Sequence, residues 1–201
     1  AKPGDNDTSV TGWAVMALKS ARVSELSVPK EAFEGAKNWL DSVTDDQYRR
    51  TGYMQKGDTG ARPREQIGKF APAETCSAIS IMSRVFMGAE RGEPLLKAQG
   101  DLLSQNLPRW DTNGGPGGTS RIDFYYWYYG TLAMFQLGDD YWKTWNEAMK
   151  TAIVGHQRKD GDERGSWDPI DVWGNEGGRV YATALNVLSL EIYYRYDRAF
   201  K

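Results

Sequence analysis

Reactive side chains are scarce in this chain of 201 residues, which has one cysteine, Cys76, and one histidine, His156. A single thiol excludes an internal disulfide and a cysteine-built metal cluster, and it fits an oxidising or a reducing compartment equally. Charge of one sign is lacking as well: 25 Lys and Arg stand against 27 Asp and Glu, a formal net charge of −2. So balanced a chain offers no field-driven attraction to nucleic acid or to an anionic membrane. No apolar run approaches the roughly 20 residues that cross a bilayer. The polar opening AKPGDND does not read as a signal peptide.

What the chain does have is helical periodicity. Segments 10–21, 75–88, 125–137 and 181–194 are apolar, and each follows a loop rich in glycine, proline and polar residues. Between them, 30–43, 94–107 and 141–157 are amphipathic; in the first, Phe33, Ala36, Trp39 and Leu40 recur at intervals of three and four. The stretches TGWAVMAL, AISIMSRV, YGTLAMFQL and ATALNVLSL align as equivalent helix starts near residues 11, 78, 129 and 182. Their spacing of about 50 to 65 residues is the signature of a repeat architecture. A more apolar helix followed by a more amphipathic one suits an inner layer covered on both sides and an outer layer covered on one. RVYATALNVL has the composition of a strand, but its length and its fit to the repeat favour helix. The expectation is an all-α domain spanning 1–201.

DTSVTGWAVMALKSA, YYWYYGTLAMFQLGDDYWKTWNEAM, QRKDGDERGSWDP and GGRVYATALNVLSLEIYYRY resemble the terpenoid cyclase and protein prenyltransferase superfamily. More narrowly, they resemble the C-terminal part of bacterial proteins with prenyltransferase/squalene-oxidase-type repeats, many without an assigned activity. The resemblance implies an α/α toroid of inner and outer helices. About three and a half hairpins are present against about six in a closed ring. A partial ring implies a fragment of a longer polypeptide, which the ragged ends favour, or one completed by another chain. Gln157, Gly165 and Trp167 are similar to the Gln/Trp motif of squalene cyclases, whose implied role is structural.

The same resemblance bears on the opening motif. Class II cyclases protonate an alkene or epoxide with an Asp-x-Asp-Asp-Thr-Ala segment at the start of an inner helix. Such a donor needs an acidic group in an apolar pocket with neighbours that sustain its acidity. NDTSVTGWAV aligns with that segment through Asp7, Thr8, Trp13 and Ala14, but Asn6 falls at the donor position and Gly4 at the first acid. Sliding the register makes Asp5 and Asp7 the first and third positions, and Thr8 then replaces an acid. One essential carboxylate is missing either way. Asp5 and Asp7 stand as the catalytic candidates, against a reading in which Asp7 or Thr8 is an N-cap worth about 1 kcal/mol.

Each remaining motif has a structural alternative. Protein prenyltransferases hold zinc with Asp-x-Cys and a later histidine; Glu74-Thr75-Cys76 imitates the first part, but His156 ends an outer helix facing away from the interior, so no metal is expected. Asp160, Asp162, Gly165, Asp168 and Asp171 fit positions of a calcium loop, yet Arg164 stands where an oxygen ligand belongs. The aromatic run gives Tyr125, Tyr126, Tyr128 and Tyr129, with Trp13, as candidate pocket-lining residues or as core filler. Cys76 is followed by Ser77, Ala78 and Ile79, which excludes a thioester of the complement type. Asp139, Asp140, Asp168 and Asp171 contain the acids for a sugar-cleaving pair, which must stand roughly 5 to 9.5 Å apart. DTNGGPGGTS ends in no Lys-Ser/Thr and cradles no phosphate.

The function expected is that of a non-catalytic toroid domain, an interaction or scaffold module of a larger bacterial protein without a cofactor. Its partner would be the rest of a longer polypeptide or another chain. The alternative is a squalene or terpene cyclase-like, or lipid-binding, enzyme domain with an apolar ligand.

Overall fold

Three of the four apolar segments begin a helix within two residues of the position that their periodicity predicts, and the fourth helix begins seven residues early. The computed structural model describes residues 6–58 and 63–195. In it α1 runs Thr8–Val23, α2 Lys30–Val43, α3 Thr75–Met87, α4 Pro94–Ser104, α5 Phe124–Leu137, α6 Asp139–Val154, α7 Gly174–Leu190 and α8 Ile192–Arg195. Among the described residues the only strand-like pairings are two isolated bridges, Thr44–Thr51 and Phe70–Ser120. The protein is all-α. None of its described helices is long and apolar enough to cross a membrane.

Helix ends follow local chemistry. Asp7 and Asp123 cap α1 and α5 through their side chains, the role in which a short acceptor is favoured. Gly88 closes α3 in the left-handed region at φ 107°, which glycine reaches without strain. Several boundaries differ from those the sequence predicts, α6 ending at Val154 rather than 157 among them. α4 stops at Ser104 rather than 107, because Leu107 precedes Pro108 and is steered away from helical backbone. The segment expected as 181–194 is divided: α7 starts earlier, passes a kink at Gly178 and ends at Leu190, before the single turn of α8.

The chain divides into two compact units, Ala1–Ala61 with Glu74–Leu103, and Arg62–Ala73 with Ser104–Lys201. In the first, α1 packs chiefly against α3. The contact is so close that a Cβ on Gly12 would lie 2.6 Å from Ile79 Cγ2. α2 is tied across both: Trp39 Nε1 donates to Thr8 Oγ1 at 3.3 Å, and Asp41 pairs with the buried Arg84 at 2.7 Å. Gln99 of α4 reaches the connecting turn, donating to the Arg49 carbonyl and to Thr51 Oγ1, each at 2.9 Å.

In the second unit α5 is the centre, packed by α6 and α7 and buried along nearly its whole length. α6 buries only one face, through Trp145, Met149, Ala152 and Ile153, as its amphipathic pattern requires. Gly130 leaves room for the Trp145 ring, whose Nε1 donates to Thr131 Oγ1 at 3.0 Å.

Candidate functional site

The start of α1 is built as a cap. Asp7 Oδ1 accepts hydrogen bonds from the Val10 backbone N–H at 2.8 Å and the Ser9 hydroxyl at 2.6 Å. Thr8 is fully buried; its hydroxyl donates to the Gly52 carbonyl at 2.7 Å and its N–H to the Tyr53 carbonyl at 2.9 Å. Burial, and then the Asp7 carboxylate beside it, raise the pKa of the Tyr53 hydroxyl above its ordinary value. Cys76 lies in the same surroundings. Burial, reinforced by the charges of Asp58, Asp7 and Glu74, pushes its thiol up to about 12, so the sulfur is not a ready nucleophile. Asp7 Oδ1 thus accepts from the first turn of α1 through both Val10 and Ser9. Asp5 lies outside the described residues.

The aromatic candidates separate. Trp13 is 44% exposed. Tyr126, Tyr128 and Tyr129 are buried: Tyr128 meets Tyr129 edge to face at 5.2 Å, and Tyr126 meets Trp145 at 5.6 Å while its hydroxyl donates to the Asn106 carbonyl at 2.9 Å. Tyr125 is half-buried and packs on Tyr129 at 5.1 Å. Edge-to-face pairs of this kind are ordinary core stabilisation, about 0.5–1.5 kcal/mol each beyond burial.

A second acid cluster forms at the start of α5. Asp123 caps Tyr126 N–H at 2.9 Å, and Asp171, from the loop before α7, accepts the Phe124 N–H at 3.3 Å. Both acids are buried. Asp171 Oδ1 and the Tyr181 hydroxyl are enclosed without a well-aligned hydrogen-bond partner. Burial, and next the charge of Asp123, push Asp171 up to about 7, against the pull of backbone N–H groups including that of Phe124. Burial and the same two carboxylates also raise the pKa of Tyr181. Asp171 was visible in the sequence only as a calcium-loop or sugar-pair candidate. Asp123 had a signal, an acid directly before an apolar run as at Asp7; Tyr181 had none, since only tertiary packing brings it to Asp171.

Other candidate sets are dispersed. Asp168 pairs with Arg179 at 2.7 Å and Arg158 at 3.6 Å, Asp160 and Asp162 are exposed, and Asp171 is buried against α5. Among the described residues no group of three or more Cys, His, Asp or Glu is arranged to hold a metal. Asp139 and Asp140 are exposed at the start of α6. His156 stacks on Trp110 at 4.2 Å with the rings 4° from parallel, and its Nδ1 lies 2.8 Å from the Ala152 carbonyl.

The Gln157, Gly165 and Trp167 set is a fastening. Gln157 donates to the Gly165 carbonyl at 2.9 Å, while the buried Trp167 donates from Nε1 to the Ile153 carbonyl at 2.7 Å and from its backbone to Thr183 Oγ1 at 3.3 Å. The end of α6, the following loop and α7 are joined by these bonds.

Two cavities lie in the second unit. One of about 140 Å³ is lined by Asp123, Arg121, Asn106 and Trp127 among others. A wider groove of about 480 Å³ runs beside α6, between Leu107, Trp110, Ala148 and His156. Comparison with protein-family models, with curated proteins and with solved structures finds no match.

Proposed function

We propose that the chain is a helical-repeat module, a partial α/α toroid of inner and outer helix pairs, whose task is interaction or scaffolding rather than catalysis. The observation that carries this reading is the use of Asp7 as a hydrogen-bond acceptor at the start of α1. Both contacts spend Oδ1 on the first turn of α1, the arrangement of a helix cap. The burial of Tyr126, Tyr128 and Tyr129 against neighbouring rings supports the reading further. The partner is the rest of a longer polypeptide or another protein chain.

The test is incubation of the protein with squalene and with polyprenyl substrates. No product above buffer is expected. Product formation by the wild type that is lost in Asp7→Asn or Asp171→Asn overturns the proposal.

A second reading, binding of an apolar ligand, draws on the groove beside α6, whose about 480 Å³ falls within the range of ligand pockets. A squalene titration followed by tryptophan fluorescence, saturating in the wild type and lost in Ala148→Glu, would support it; a flat titration removes it.

A further inference from the structure

The glycine-rich stretch DTNGGPGGTS, which cradles no phosphate, forms a tied loop in the second unit. Its base is closed by the Arg121 N–H donating to the Asp111 carbonyl at 2.8 Å, and Arg121 Nε donates to the Gly114 carbonyl at 3.0 Å. Further along, the Gly115 N–H donates to the Thr119 carbonyl at 2.8 Å. The loop leads directly into Ser120, which exchanges backbone bonds with Lys69 and Ala71 at 2.8 and 2.7 Å.

In the first turn of this loop stands Asn113, exposed and followed by the exposed Gly114. Asparagine before glycine carries a particular chemistry. The backbone nitrogen of the next residue can attack the side-chain amide carbon and close a five-membered ring, and a glycine there has no Cβ to obstruct the approach. No other asparagine of the chain precedes a glycine. In the folded loop the attack is restrained. Asp111 Oδ1 accepts the Gly114 N–H at 2.7 Å and the Asn113 N–H at 3.0 Å, bonds of the charge-assisted kind. The same two N–H groups hold the Asp111 carboxyl below its ordinary pKa, so it stays charged across the neutral range. The nitrogen that would attack is thus engaged by Asp111. It must also give up its proton to react, and a carboxylate beside it disfavours the anion so formed. Gly114 is required by the same contact, since a Cβ there would lie 1.8 Å from Asp111 Oδ2.

We propose that Asn113 is a site of spontaneous deamidation and that Asp111 guards it. Gly114 N forms a bond to Asn113 Cγ, the Cγ–Nδ2 bond breaks, and the proton from Gly114 N leaves with the side-chain nitrogen as ammonia. A succinimide remains. Water opens it, its hydroxyl going to one ring carbonyl carbon and its hydrogen to the nitrogen, which leaves aspartate or isoaspartate at 113. The reaction consumes water alone, with no oxidant or cofactor. Either product adds a negative charge beside Asp111, and isoaspartate also adds one carbon to the main chain inside the tied loop. That carbon displaces the Gly114 carbonyl from Arg121, so the modification opens the loop beside the cavity that Pro116 and Arg121 line.

The test is ageing of the full 201-residue chain at mildly alkaline pH, read by peptide mass spectrometry and by enzymatic methylation of isoaspartate. Wild type gains the deamidated mass at Asn113 before any other asparagine, slowly in buffer and at least about 10-fold faster in urea, where the Asp111 bond is lost. Asp111→Ala ages in buffer at nearly the urea rate. Asp111→Asn, which keeps an acceptor at the turn without the charge, falls between the two. Asn113→Ala forms no product there. These are surface-loop substitutions, so circular dichroism like that of the wild type is expected. An Asp111→Ala chain that ages no faster than wild type, equal wild-type rates in buffer and in urea, or a first deamidation at another asparagine overturns the inference.

Discussion

The Phe124 backbone N–H donates to Asp171 Oδ2 at 3.3 Å, joining positions 47 residues apart. Through this bond the loop before α7 meets the start of α5, and two acids, Asp123 and Asp171, are buried together. Burying carboxyl groups near one another favours the protonated form of one of them.

Stability should therefore decline with rising pH in a defined window. Asp171 titrates at about 7 in the fold, mainly through burial and then through the Asp123 charge, against about 3.9 in an unfolded chain. Between those values the folded state holds a proton that the unfolded state has released. Stability then falls as pH rises from about 4 to about 7 and stays reduced above it, by an amount on the order of 4 kcal/mol. Asp171→Asn should flatten this part of the urea-midpoint profile and be the more stable protein at pH 8. Parallel profiles for the two proteins would contradict the assignment.

Two glycines should respond oppositely to alanine. A Cβ at Gly12 would lie 2.6 Å from Ile79 Cγ2, on a fully buried, stiff side chain, whereas one at Gly35 meets nothing within 4 Å. Gly12→Ala should push α1 off α3 at an overpacking cost of about 1–3 kcal/mol, exceeding the gain in helix propensity of about 1 kcal/mol. Gly35→Ala should keep that gain. Urea denaturation of both variants gives the two signs directly.

Cys76 should report unfolding rather than chemistry. With its thiol buried and pushed up to about 12, little thiolate exists at neutral pH. Labelling by a disulfide reagent at pH 8 should be slow in the native protein and should follow the urea transition. Stoichiometric labelling within seconds under native conditions is the opposing result.

Trp167 should outweigh Gln157 in the fastening they share. Trp167 is buried and donates to the Ile153 carbonyl at 2.7 Å, while the Gln157 bond to Gly165 is solvent-exposed. Trp167→Ala should cost about 3–5 kcal/mol, and Gln157→Ala about 1 kcal/mol or less. Comparable losses in the two melting curves would mean that the amide carries more of the junction than its exposure allows.

Helix starts and faces were legible because periodicity and capping are local: Asp7 before α1, Asp123 before α5 and the one-sided pattern of α6 all stand in the sequence. The bend at Gly178 and the early end of α4 depend on glycine and proline, whose presence marks a break without fixing its position to the residue. The site was less legible. Asp171 has no neighbour in sequence that predicts its burial; its environment comes from Phe124, Asp123 and Tyr181, all brought from a distance or by a turn of packing. Nor does composition reveal that Val10 and Trp13 of α1 are exposed, since they look like core residues until Gly12 and Val15 are seen to occupy the buried side.

The most direct test of the central claim, that Asp7 is a structural cap, is the urea stability of Asp7→Ala beside Asp7→Ser. A cap predicts that alanine loses about 1 kcal/mol and that serine, which also accepts from the first turn, loses much less. An acid held at the start of α1 for catalysis would be a strained group whose removal costs nothing. Asp7→Ala as stable as the wild type, or more so, would contradict the account.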